Sequence, residues 1–417
     1  MSAQPPVFAI TPTVQQYDWG KIGLQSKVAQ FAKAADVAAI DDAAPYAELW
    51  MGTHTKSPST IAGRQQRTLA AVLAEQPELI GRAVAHKFGV TGGNLPFLFK
   101  VLAIQKALSI QSHPDKATAE KLHAAQPDIY KDDNHKPEMA LALTPFTALC
   151  GFRPLYAIAR YLASTPELAQ FTTIIPATLS GFSSDDSPGA KAALRTAFED
   201  VVSAKEEVFR PALAKLIARY KAGDVRDDER DIRDLVLDLH AQFPGDIGVF
   251  CAFFLNVAHL EPGEAIFLGA GEPHAYVSGD IIECMANSDN VIRAGLTPKL
   301  RDVPNLVATL TYTAAPWSKH RVVPTLFRGS AHSTLYDPPI PEFSVVRTAL
   351  APGEADAHPS LAGPSIAIVT EGAARIRWDG GGVDAGEGMV LFVGAETTIE
   401  IAAGSRNTTV FRAFIEA

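Results

Sequence analysis

The sequence predicts a mainly β protein with an α-helical block inserted into one β-domain and a second β-domain behind it. Three observations carry this reading. The texture along the chain runs strands, helices, strands, strands. The helical stretch is a continuous block of about 100 residues with apolar side chains three and four apart. The chain has 417 residues, which at roughly 150 residues per domain accommodates two to three domains. A composition of 47% hydrophobic and 20% charged residues is that of a globular chain rather than a disordered one. At this length a core forms without disulfides or metal staples.

The elements follow in order. Residues 97–103 and 108–113 are short apolar runs separated at Gln105-Lys106, and both read as strands. Thr68 is placed to cap a helix over 69–74, and 77–87 reads as a further helix with Pro77 in its tolerant first turn. From about Arg153 the helical pattern covers 155–163, 188–221 and 228–242. Ser187-Pro188 is a helix start, and Gly223 behind Arg219-Tyr220-Lys221 is a helix stop. Past Leu260 come the turn Pro262-Gly263-Glu264, a strand over Ala265–Leu268 and the turn Gly271-Glu272-Pro273-His274. From about Val322 the chain is strand-rich, at 365–370, 374–378, 389–393, 397–401 and 409–414, with a Gly-dense turn at 379–382. Domains are therefore expected over 1–152 with 256–321, over 153–255, and over 322–417. Many short strands close as sandwiches or jelly rolls, which limits exposed edges.

Charge and cysteine usage exclude several functions. The net charge of −9 leaves no basic footprint for nucleic acid or an anionic membrane. Cys150, Cys251 and Cys284 are odd in number and contain no CxxC, so a reducing, cytoplasmic setting is expected. The first residues show no basic segment followed by an apolar one, so no secretory signal is expected. No apolar run reaches the roughly 18 residues of a membrane span. No GxGxxG strand–helix signature calls for a nicotinamide cofactor.

Chemistry concentrates in four segments. In Leu108-Ser109-Ile110-Gln111-Ser112-His113-Pro114, alternation puts Ser109, Gln111 and His113 on one face. In Asn134-His135-Lys136-Pro137-Glu138-Met139, three ionisable residues precede an apolar strand. In Pro273-His274-Ala275-Tyr276, an imidazole enters a strand from a Gly-Pro turn. Over 280–299, Glu283, Arg293 and Lys299 accompany small residues that permit close approach of a ligand. Taken singly, the first is a half-exposed strand, the second a solvated turn, the third a structural histidine, and the last surface charge. Together, Gln111, His113, Glu138 and His274 supply two imidazoles, a carboxylate and an amide oxygen. Zinc accepts N and O ligands and is usually four-coordinate, though Gln is an uncommon ligand. Iron or manganese would suit the same donors.

At these residues the chain resembles a known family. Gln111-Ser112-His113-Pro114-Asp115-Lys116, His135-Lys136-Pro137-Glu138 and the stretch 262–299 are similar to the type I mannose-6-phosphate isomerases, also called phosphomannose isomerases. Tyr17-Asp18-Trp19-Gly20, the stretch 47–54, Leu95-Pro96-Phe97-Leu98-Phe99-Lys100 and Cys150-Gly151-Phe152-Arg153 extend the resemblance from about residue 8 to about residue 312. The last segment resembles the family's final domain only loosely. The resemblance implies two jelly-roll domains of the cupin superfamily flanking a helical insertion. It implies one Zn(2+) per chain on Gln111, His113, Glu138 and His274, which also accounts for the unusual Gln. It implies an essential Arg293, acid/base positions at Glu283, Lys136 and His135, and phosphate-side positions at Ser109, Lys100 and Lys299. The implied reaction interconverts mannose 6-phosphate and fructose 6-phosphate through a metal-stabilised cis-enediol(ate). It would supply mannose 6-phosphate for GDP-mannose and for glycosylation or cell-wall mannan, in a monomeric enzyme with a small sugar phosphate as its only partner.

Two other classes are open on the residues. Metal cupins include oxygenases, which favour two His and one carboxylate with open positions; a Gln ligand beside Lys136, Arg293 and Lys299 fits a phosphosugar better. A two-cupin storage protein would show no convergence of polar residues, and here that convergence falls in the first β-domain.

Overall fold

The computed structural model describes residues 4–417. It is mainly β with a block of helices between the strands Phe146–Phe152 and Leu255–Leu260, as the sequence predicts, and shorter helices elsewhere. The strand His274–Ala286 organises the first β-unit. Its later half pairs antiparallel with Phe97–Ile104 and with Glu138–Ala142. Its first half pairs with Phe146–Phe152, and His274 faces Gln111 of Ile110–Ser112. One strand thus belongs to two sheets, and the change of sheet falls at Gly279. There φ is +119°, and an added Cβ would lie 2.7 Å from the Pro145 carbonyl oxygen. Only glycine accommodates both conditions.

Alternation along these strands separates two faces. Leu102, Ala140, Ile281 and Tyr276 fill the interior of this unit with Ala148 and Leu268. On the same inward face, nearer one end, stand Lys100, Glu138 and Glu283. Their neighbours Val101, Met139, Leu141 and Ile282 point outward into a shared core with Phe8, Ile366, Ile368, Phe392 and Phe411. Burying each such side chain contributes about 1.5–3 kcal/mol relative to exposure, so the two β-units are held together by a continuous apolar layer.

The helices cover the other sheet. Leu149, Phe152, Ala275 and Val277 pack with Leu162, Phe198, Leu213 and Phe250. Thr68 and Ser187 cap helices as their positions predict, accepting from Ala71 N at 3.2 Å and Ala190 N at 3.2 Å. Two expected helices are instead broken. The 188–221 stretch forms Pro188–Val202 and Glu206–Lys221. Pro211 lies inside the second of these helices, where it forgoes the bond to the Glu207 carbonyl. The 77–87 stretch splits at Gly81, whose φ is +84° and whose Cβ would meet the Ala362 carbonyl oxygen at 2.3 Å.

The second β-unit also differs from the expected boundaries. Its large sheet contains Ser344–Leu350, Thr408–Phe414, Ser365–Glu371 and Val390–Val393, and then Val7–Thr11, Thr60–Ile61 and Arg64–Thr68 from the beginning of the chain. Val7 pairs with Val393 and Ile10 with Val390. Strands from the beginning of the 1–152 segment thus complete the sheet of the second β-unit. A strand's partner across nearly the whole chain leaves no local pattern in its own residues. A four-stranded sheet, Ala355–His358, Ile399–Ala403, Ala373–Trp378 and Gly381–Gly386, closes the second layer.

Inside that second unit His358 is fully buried. Its Nδ1 accepts from Arg412 Nη1 at 3.3 Å, its Nε2 donates to Ser333 Oγ at 2.9 Å, and Asp356 stands 3.5 Å away. Burial, reinforced by the Arg412 charge, lowers the His358 pKa from 6.5 to about 4. Below about pH 6.5 the unfolded chain takes up a proton that the folded chain refuses until about pH 4, so stability declines across that window, by at most about 1.4 kcal/mol per pH unit from this group. The expected result is a urea midpoint that falls between pH 7 and pH 5, with a smaller fall in His358→Gln. Equal slopes for the two proteins would contradict it. Because both nitrogens of His358 are engaged, and His332 Nδ1 faces Glu354 at 3.4 Å, we also expect no metal in this unit. A second stoichiometric metal lost on replacing His332 or His358 would show otherwise.

Candidate metal centre and active site

His113 follows the short strand Ile110–Ser112, Glu138 opens Glu138–Ala142, and His274 opens His274–Ala286. The fold brings their ligand atoms within 4.8 Å of one another, all buried. His113 Nε2 lies 3.2 Å from Glu138 Oε1, and His274 Nε2 lies 3.3 Å from Glu138 Oε2. On the far side of each ring, Nδ1 meets a backbone carbonyl: Asn290 at 2.6 Å and Glu272 at 2.9 Å. A carbonyl only accepts, so each Nδ1 carries a proton and each ring turns its Nε2 toward the carboxylate. Both Nε2 atoms are buried without a hydrogen-bond partner. Burial lowers His113 from 6.5 to about 4, against the pull of Glu138, so the ring is neutral near pH 7. Burial alone would raise Glu138, but Lys136, 3.0 Å from Oε1, and the imidazoles outweigh it and hold the carboxyl well below its usual range. Lone pairs facing an anion in a dry site are repulsive unless a cation lies between them. The donor set fits a divalent metal such as zinc, with each imidazole oriented through its second nitrogen.

Of this group Glu138 lines a cavity of 380 Å³, and the two imidazoles are buried next to it, outside the lining. Glu138, Gln111, Ser109, Lys136, Glu283, Lys100, Arg293 and Lys299 all line it. Gln111 is across the ladder from His274 on one side and from Arg293 on the other. Its Oε1 accepts from Ser109 Oγ at 3.4 Å. Arg293 is half-buried and makes no ion pair among the described residues; burial lowers its pKa, and a guanidinium stays protonated across the working range. Lys299 is exposed at the rim.

Two expected residues are engaged otherwise. His135 does not line the cavity; its Nε2 lies 2.5 Å from Glu342 Oε1, on the second β-unit. Lys136 and Glu138 line the cavity while His135, between them, turns to Glu342. Lys100 lines the cavity, but its ammonium sits 3.1 Å from Glu283 and 3.6 Å from Glu48, over the Trp50 ring at 4.8 Å. Burial would lower its pKa, and the carboxylates more than reverse this. A phosphate would have to compete with both carboxylates for it. Burial raises Glu283 despite Lys100, which brings a carboxyl nearer to neutral pH.

Sequence reasoning overlooked Glu48, Trp50 and Tyr276. Trp50 Nε1 donates to Glu48, and Tyr276 Oη donates to Glu138 Oε2 at 3.4 Å. Alternation in Ala47-Glu48-Leu49-Trp50 would have placed Glu48 and Trp50 on one face, and the register Trp50–Lys100–Glu283 runs straight across three strands. Tyr17, Asp18, Trp19 and Phe243 also line the cavity. No described helix is long and apolar enough to cross a membrane.

Comparison with known proteins agrees with this arrangement. Residues 7–155 match the catalytic domain of phosphomannose isomerase type I, 172–255 its helical insertion domain, and 333–380 its C-terminal domain. The chain is 47% identical to the mannose-6-phosphate isomerase of Cryptococcus neoformans, over 99% of this chain and all of that one. It is 43% identical to that of Saccharomyces cerevisiae, over 98% and 99%. In three dimensions it is similar to a zinc-bound mannose 6-phosphate isomerase, with a TM-score of 0.82 and 31% identity over 99% of this chain and all of that one. The apo form from Salmonella typhimurium gives 0.81 and 31% over the same shares.

Proposed function

The chain belongs to the type I phosphomannose isomerases, a family of cupin fold, and from that membership we propose that it interconverts mannose 6-phosphate and fructose 6-phosphate. The observation that carries this is the buried group of His113, Glu138 and His274, both Nε2 atoms without a partner, whose Glu138 opens on a cavity shared with Glu283, Lys136 and Arg293. A zinc ion held by His113, Glu138 and His274, with Gln111 at the same wall, would act as a Lewis acid that stabilises negative charge on the sugar oxygens of a cis-enediol(ate).

The chain's own residues supply the rest. Ser109 and Lys299 receive the phosphate, and Arg293 lines the same cavity. Glu283 takes the proton from C2 through a carboxylate oxygen, because burial has raised its pKa toward the range where a carboxyl can both accept and return a proton. Lys136 exchanges the hydroxyl protons at O1 and O2 as the double bond forms between C1 and C2. Returning the proton to C1 and releasing the one on O2 yields the ketose, so the reaction is balanced without a redox cofactor. Arg293 meets the charge that develops on the enediolate. The enzyme works as a monomer with one zinc per chain. Three free, buried cysteines suit a cytoplasmic enzyme. Its product, in the mannose direction, would serve GDP-mannose synthesis and glycosylation or cell-wall mannan.

The test is formation of fructose 6-phosphate from mannose 6-phosphate by purified, zinc-loaded protein in a coupled assay, with unphosphorylated mannose as control. Turnover of the phosphate ester and little of the free sugar is expected. No fructose 6-phosphate would contradict the proposal.

A further inference from the structure

The two backbone segments that carry the site outside its strands are tied together by a residue that touches neither cavity nor metal group. Asp132 precedes the run that ends in Lys136 and Glu138. Its Oδ1 accepts from Ser288 Oγ at 2.7 Å, from Asn134 N at 3.0 Å and from Asn290 Nδ2 at 3.2 Å, and its Oδ2 accepts from Asp289 N at 2.7 Å. Its backbone oxygen accepts from Asn290 Nδ2 at 2.8 Å. Residues 288–290 lie between the strands His274–Ala286 and Ile292–Gly295 and have no ladder of their own. Yet Ser288 and Asn290 are buried, and the Asn290 carbonyl is the group that receives His113 Nδ1 at 2.6 Å. Asp289 turns its own carboxylate away, to Lys56 at 2.9 Å.

We propose that Asp132 is a positioning residue for the metal site: its carboxylate fixes the 288–290 segment so that the Asn290 carbonyl holds His113 in the Nδ1–H tautomer with Nε2 aimed at Glu138. The proposal rests on the metal-isomerase reading above. A metal-bound imidazole depends on its second nitrogen's partner for orientation and basicity, and loss of such a partner typically costs 10–100-fold in affinity. A carboxylate suits this place because donors reach it from both oxygens. Asn at 132 could keep the bonds to Oδ1, but its amide nitrogen would confront the Asp289 N–H.

The experiment measures Zn(2+) affinity by chelator competition and records the visible spectrum of the Co(2+)-loaded protein, for wild type, Asp132→Ala, Asp132→Asn and the control Asp302→Ala. Asp302 also accepts several bonds, capping the helix Val303–Thr309 through Asn305 N at 3.2 Å and receiving Tyr130 Oη at 2.7 Å, but none from residues 288–290 or 134–138. We expect Asp132→Ala to weaken zinc binding about 10–100-fold, Asp132→Asn to weaken it less, and both to alter the cobalt spectrum. Asp302→Ala should lower the melting temperature with zinc affinity unchanged. The proposal is overturned if the Asp132 variants keep wild-type affinity within a factor of about 2, well short of an outer-partner loss. It is equally overturned if Asp302→Ala loses as much affinity as Asp132→Ala. If Asp132→Ala does not fold, Asp132→Asn decides by the same criterion. A wild-type protein that holds no zinc overturns the metal-site reading, and that failure appears in the wild-type arm alone.

Discussion

Replacing His113 or His274 with Ala is expected to abolish metal binding and turnover together. Each ring supplies a bare, buried Nε2 about one ligand's reach from Glu138. Losing an outer hydrogen-bond partner of a metal ligand costs roughly 10–100-fold in affinity, and losing the ligand itself should exceed that range. The loss should be shared by both variants, because either leaves the carboxylate and one imidazole with too few donors. Elemental analysis beside a turnover assay checks this. A variant without metal that keeps a near-normal rate would separate the metal from the chemistry.

Replacing Arg293 is the second large effect, and it should leave the metal in place. Arg293 lines the cavity across the ladder from Gln111, carries a charge with no carboxylate partner among the described residues, and is half-buried. A cation kept free of ion pairs in an acidic chain is available to charge that arises during reaction. If it only gripped the phosphate in ground and transition states alike, KM would rise and kcat would be spared. If it meets the enediolate as charge develops, kcat falls with KM little changed. We expect the second: a loss in kcat of about 10²-fold or more for Arg293→Ala, as for removal of an oxyanion-stabilising donor, and a substantial loss for Arg293→Lys, which lacks the planar fork. Zinc content should remain that of the wild type. A kcat within a few-fold of wild type, with metal bound, would remove Arg293 from the chemistry and leave it to Glu283 and Lys136.

Much of this molecule is legible in the residues because the relevant signals are local. Thr68 and Ser187 sit where a hydroxyl reaches an N–H three residues on, and they cap as their positions demand. Alternation from Ser109 to His113 and the His-Lys-Pro-Glu run mark polar faces on short strands, and the fold brings His113, Glu138 and His274 together from three of them. What the sequence hides is pairing between distant segments. Val7–Thr11 looks like any apolar strand, and only the ladder with Val390–Val393 assigns it to the second β-unit. Glu342 gives no sign in its own neighbourhood that it will receive His135. Lys100 reads as a lone cation on a strand, whereas the register with Glu283 and the nearby Glu48 make it one of a buried charge cluster. Gly81 could be read as a tolerated helix glycine until the Ala362 carbonyl is placed against it.

The measurement that bears most directly on the whole account is isomerisation of mannose 6-phosphate by the same preparation in three states: as purified, after exhaustive chelation, and after zinc is returned. The buried imidazole nitrogens facing an anionic Glu138 predict that chelation abolishes turnover, that zinc restores it at one equivalent per chain, and that the melting temperature rises as zinc binds the folded protein. Full activity in the chelated protein, with metal absent by elemental analysis, would contradict it.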